Sequence, residues 1–152
     1  MDAIDASLAA AGYPGMFLIA LVAATLLPAQ SELVFVAMLG TGRFDPALLL
    51  IVASAGNITG STINWAIGRH LAHHRGARWF PVSEPAMARA ETWYQRFGVA
   101  SLLLSWLPVV GDPLTFVAGV LRTSLARFLL LVTIAKAGRY LALLILYGHF
   151  SN

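Results

Sequence analysis

No cysteine occurs in the 152 residues, which excludes disulfides, thiolate nucleophiles and thiolate metal sites. Charge is nearly as scarce: Asp, Glu, Lys and Arg make up 11% of the chain, where a soluble domain carries roughly a quarter. No charged residue falls between Asp5 and Glu32, Asp45 and Arg69, Arg96 and Asp112, or after Arg139. A net charge of +3, scattered along the chain, gives no basis for a nucleic-acid surface. The N-terminal MDAIDAS is acidic where a secretory leader would be basic, so no cleaved signal is expected. Serine–histidine–acid, P-loop and dinucleotide patterns lack supporting context, so neither enzyme chemistry nor a cofactor is expected.

Apolar residues are what the chain has in quantity: 59% are hydrophobic, an integral membrane composition. Four blocks stand out, Tyr13–Leu39, Pro46–Gly68, Gly98–Leu121 and Phe128–Gly148. The second and fourth suit the roughly 20 apolar residues that cross a bilayer as a helix. Pro28 and Pro108 break the first and third, because proline removes a helix hydrogen bond and clashes with the preceding turn. Each broken block is then either a kinked span, giving four crossings, or a re-entrant hairpin. Four crossings split the eight arginines outside the blocks' interiors five against three, with Arg43, Arg122 and Arg127 opposite the basic loop. Hairpins split them seven against one, leaving only Arg43 opposite. The positive-inside rule favours hairpins.

The halves echo one another at a separation of eighty: Pro28 and Pro108, Glu32 and Asp112, Gly68 and Gly148. We expect one all-α membrane domain over residues 1–152. It has two inverted repeats, about 13–68 and 98–148, each a re-entrant hairpin plus a transmembrane helix. The tips would lie at Pro28 and at Pro108, Gly111 and Pro113. Residues 69–97 form a basic linker with an amphipathic helix capped by Ser83, whose Met87, Ala90, Tyr94 and Phe97 fall near one face. The same count places this linker in the cytoplasm and both termini in the periplasm.

Glu32, Asp112, Lys136 and Arg139 are the ionisable residues at membrane depth. Each costs roughly 2.5–3.5 kcal/mol at the centre of a lipid-facing helix, so they should face inward and pair. Lys136 and Arg139, three apart, share a helix face. An inert ion-paired staple is the plain alternative to a transport site. On the second block, Asn57, Ser61 and Asn64 form a polar stripe, with Asn57 the best ligand candidate, and Gly56 and Gly60 allow close helix packing. The RHLAHHRGAR stretch, with histidines 70, 73 and 74 among arginines, reads as a headgroup-facing basic patch rather than a metal site.

The segments LLPAQSELVFVAMLG, GNITGSTINWAIGR, WYQRFGVASLLLSWLPVVGDPLTFVAGVLR and AKAGRYL resemble the DedA family of VTT, or SNARE-associated, membrane proteins, and within it the small YqaA-like branch. The resemblance covers nearly the whole chain. It implies re-entrant hairpins in inverted repeats, a bacterial inner-membrane location, and movement of polyprenyl phosphate or phospholipid, in some members proton-coupled. By position, Glu32 looks like the family's acid of the first hairpin and Arg69 like the arginine after the IGR glycine. Many members carry an arginine three residues after the second proline; Gly111 stands there, followed by Asp112. The resemblance then implies either that Arg139 or Lys136 supplies the phosphate-binding charge, or that the substrate differs. The expected partners are an anionic lipid headgroup, protons and a second copy of the chain. Small-solute transport and a non-transporting scaffold are the rival readings.

Overall fold

The computed structural model describes residues 2–25, 30–107 and 110–151. Among the described residues it is helical, with no strand. The helices are α1 (Asp2–Thr25), α2 (Gln30–Gly40), α3 (Pro46–Leu71), α4 (Glu84–Phe97), α5 (Gly111–Val120) and α6 (Leu125–Phe150); 3-10 segments cover Ala72–His74 and Gly98–Trp106. Pro28 and Pro108, the two expected hairpin breaks, lie outside the described residues.

Length separates two kinds of element. α3 and α6 have 26 residues each, about 39 Å at 1.5 Å per residue, and exceed the roughly 30 Å hydrocarbon core. α2 and α5, with 11 and 10 residues, reach only about 16 Å and cannot cross. The apolar stretch before α5 is a nine-residue 3-10 segment rather than the expected α-helical half. It rises about 2 Å per residue, so a short stretch reaches further. α1 is interrupted at Gly12, whose φ of 54° is outside the helical range, so its apolar part starts at Tyr13 as expected.

α3 and α6 show the polarity expected in lipid. On α3, Leu48, Ile51, Ile63 and Ile67 are exposed, whereas Ser54, Asn57, Ser61 and Asn64 are buried. On α6, Leu130, Ile134, Leu141 and Ile145 are exposed, whereas Lys136 is buried. Water would reverse that arrangement; a hydrocarbon surround stabilises it.

The chain divides into two compact units, Met1–Gly60 with Lys136–Asn152, and Ser61–Ala135. In the first, α1 packs on α2, and Met16, Ala20, Phe35, Met38, Leu49 and Tyr140 form the core. The apolar start of α1 meets the segment after α2: the Tyr13 ring sits edge-on to Phe44, and its hydroxyl accepts a 2.9 Å bond from the Asp45 N–H. α1 and α2 are therefore a closed hairpin. A Cβ at Gly56 or Gly60 would lie 2.3 or 2.5 Å from the carbonyl oxygens of Phe17 or Leu21, so the glycines set the approach of α3 to α1, as their spacing suggested.

In the second unit, the 3-10 segment and α5 pack together, and α4 lies on both. Tyr94, at the end of α4, shares a hydrogen bond with Thr123, just after α5. This hairpin is closed at its mouth by a tyrosine, as the first is. Ser83 caps α4 by accepting from the Ala86 N–H at 3.4 Å. Of its amphipathic face, Met87 and Ala90 pack against Leu114, Phe116 and Val117 of α5, and Phe97 is open. The α5 residues expose an apolar ridge that α4 covers. Arg75 ties the preceding loop to α4 through a bidentate bond to Glu91, at 2.5 and 2.8 Å. That bond holds the Arg75 guanidinium above its usual range.

The exits of the two hairpins also match. Gly42 and Arg122, eighty residues apart (122 − 42), both take the left-handed conformation, at φ 64° and 58°. Gly68 and Gly148 do not match in environment: a Cβ at Gly68 would come within 2.2 Å of the Phe116 oxygen, whereas Gly148 has open space.

Candidate functional site

The first unit holds a line of polar side chains inside its apolar core. Glu32 stands in the first turn of α2, where the free N–H groups of a helix start favour a carboxylate. Arg139 of α6 forms an ion pair with its Oε1, and both side chains are 15% exposed. The Ser31 hydroxyl donates to the same Oε1 at 3.2 Å. Tyr140 donates its hydroxyl to Ser31 Oγ at 3.0 Å. Asn57 Nδ2 donates to the Tyr140 oxygen and to the Ala20 carbonyl, each at 3.4 Å. Asn57, Tyr140 and Ser31 thus form a relay whose donors all point toward Glu32. Such chains polarise one another in a low dielectric.

Two acceptors in this line stay open. Glu32 Oε2 and Asn57 Oδ1 are buried and accept no hydrogen bond from the described residues, and Ser54 Oγ is buried in the same state. An unmet buried acceptor costs roughly 1–3 kcal/mol. Lys136 is 2% exposed and sits one helical turn before Tyr140. Of the basic pair and the acid expected at membrane depth, Lys136 is thus buried and Arg139 and Glu32 are partly buried, on α6 and α2 of one unit, and Glu32 with Arg139 is a real pair.

The remaining candidates belong to the second unit. Asp112 and Pro113 are partly buried in the first turn of α5, and the Asp112 carbonyl accepts from the Thr115 hydroxyl at 2.7 Å. Proline in a first helical turn forfeits no intrahelical bond. Gly111 stands in close contact with the segment before it. A Cβ there would fall 2.2 Å from the Ser105 carbonyl oxygen, so this hairpin closes too tightly for any side chain at that position. Arg69 is exposed, with its guanidinium 5.4 Å from the centroid of the Trp65 ring. Asn64 of the polar stripe donates to Thr115 Oγ1 at 3.4 Å. Among the described residues, no group of histidines and acids could hold a metal ion.

Sequence reasoning missed Ser31 and Tyr140 as members of the line. Tyr140 adjoins Arg139 and follows Lys136 by four residues, which places it on their side of α6, a signal that was there to be read. Nothing local links it to Ser31, 109 residues away.

The family model of the VTT domain matches residues 13–148. The chain is 39% identical over 127 residues to the inner membrane protein YqaA of Escherichia coli K12, covering 84% of each chain. It is 40% identical over 145 residues to an uncharacterized protein of Haemophilus influenzae, covering 89% of this chain and 87% of that one. No solved structure matches it.

Proposed function

This chain belongs to the VTT domain (DedA) family of membrane proteins, and from that premise we propose that it moves the headgroup of an anionic lipid across the bacterial inner membrane. The observation that carries this reading is the Glu32–Arg139 pair inside the first unit, with its open acceptors. A pair built only for stability could be exchanged for apolar residues at little cost, and would gain by it in lipid. Arginine presents a planar donor fork that fits a phosphate as well as a carboxylate. Glu32 is the internal anion that holds Arg139 until a lipid phosphate takes its place, with Lys136 as the second positive charge. Protonating Glu32 would release Arg139 and admit the phosphate, which is how a proton gradient would drive exchange. Asp112 would play the balancing role in the second hairpin. The lipid tails stay in the bilayer, so only the headgroup needs the polar path.

In this reading, the two short hairpins dip into the membrane and return, and α3 and α6 are the spans. Inversion of the repeats follows, since each repeat then crosses once. The length of α2 and α5 and the tyrosine-closed mouths support it.

The test is headgroup translocation in proteoliposomes, with labelled phospholipid and polyprenyl phosphate in turn, with and without a pH gradient. Wild type should move one class, and Lys136→Ala with Arg139→Ala should not. Glu32→Gln should move lipid without responding to the gradient. Wild-type rates in the double variant would refute the site. No movement of either lipid by folded wild-type protein would refute the function.

A further inference from the structure

The second unit carries a cavity that plays no part in the site above. It has a volume of about 390 Å³ and is lined by Thr92, Trp93, Arg96, Phe97 and Leu104. It forms because Gly98, at φ 64°, turns the chain sharply from α4 into the 3-10 segment, leaving a concave angle between them. Its volume lies in the range of small-molecule sites, roughly 300–1,000 Å³. The lining is apolar except at one rim. There Arg96 holds its guanidinium 5.4 Å from the centroid of the Phe97 ring, and Phe97 is 52% exposed. No carboxylate pairs with Arg96 among the described residues. Arg89 lies two turns earlier on the same side of α4 and is also exposed.

We propose that this cavity is a seat for an anionic membrane lipid, with an acyl chain against Trp93, Phe97 and Leu104 and the phosphate on Arg96. Charge complementarity selects the occupant. An aromatic floor with an unpaired arginine at the rim suits an amphiphile whose apolar and anionic parts are adjacent, and tryptophan and arginine gather where headgroups meet hydrocarbon. A purely apolar ligand would leave Arg96 unused, and a free anion would leave the floor exposed. The seat is independent of headgroup movement, because it shares no residue with the Glu32–Arg139 line.

Brominated acyl chains quench tryptophan on contact, which makes Trp93 the reporter. The full chain is reconstituted with increasing fractions of dibrominated phosphatidylglycerol or dibrominated phosphatidylcholine. The contribution of Trp93 is the quenching that Trp93→Phe removes. Phosphatidylglycerol should reach half-quenching at about a five-fold lower fraction, the preference one arginine gives for an anionic surface. Arg96→Gln should erase that preference, Arg96→Lys should retain it, and Glu32→Gln should leave it unchanged. Equal quenching by both lipids, no quenching of Trp93, or a preference that survives Arg96→Gln would each overturn the proposal.

Discussion

Glu32 and Arg139 form a mutual dependence, and the two residues should behave very differently when changed singly and together. Removing either partner takes away this ion pair from a largely apolar surround, at a cost of up to about 3–5 kcal/mol. Glu32→Leu with Arg139→Met removes both charges and should recover most of that loss. Thermal unfolding in detergent checks it, and a double variant that is stable but inactive in lipid movement would separate the pair's function from its structural role. Tyr140→Phe removes only the hydroxyl that accepts from Asn57 and donates to Ser31. We expect a loss of about 1–2 kcal/mol in the same measurement. Arg122 carries a different cost, because its left-handed backbone is strained for a residue with a Cβ. Arg122→Gly should raise the unfolding free energy by about 1 kcal/mol, as Gly42 already relieves the first hairpin.

At the scale of the elements, glycine decides how closely helices approach. Gly60→Ala drives a methyl into the Leu21 carbonyl and Gly111→Ala into that of Ser105, so each should destabilise by about 1–3 kcal/mol. Gly138→Ala meets nothing within 4 Å and should be neutral or stabilising, by up to about 1 kcal/mol. Helix existence was legible because hydropathy and the Ser83 cap act locally. The polar stripe of α3 was legible too, since Asn57, Ser61 and Asn64 all turned inward. The destination of the amphipathic face on α4 was not, because an apolar stripe looks the same whether lipid or α5 covers it. The tyrosine clasps were equally hidden. Tyr13 meets Asp45 across 32 residues and Tyr94 meets Thr123 across 29, and no periodicity encodes such closures. The close approach of Gly111 to the Ser105 carbonyl was hidden as well, because no local pattern encodes it.

For the whole molecule, the absence of cysteine becomes a tool. Single cysteines at His73, Ser124 and Ser151 can be labelled from either face of sealed vesicles without background. Re-entrant hairpins place Ser124→Cys on the same side as His73→Cys, with Ser151→Cys opposite. Four crossings would put Ser151→Cys with His73→Cys and Ser124→Cys opposite. The alternatives give opposite labelling patterns.

The division of the chain into units has a bearing on how the protein is made. The first unit needs residues from both ends of the sequence, and its partly buried acid leaves the ribosome 107 residues before its arginine (139 − 32). At about 5–20 residues per second, that gap lasts roughly 5–20 s. If the first hairpin is re-entrant as proposed, throughout that gap it carries Glu32 without the arginine that pairs with it. On that reading, the Glu32–Arg139 pair is completed only when α6 arrives.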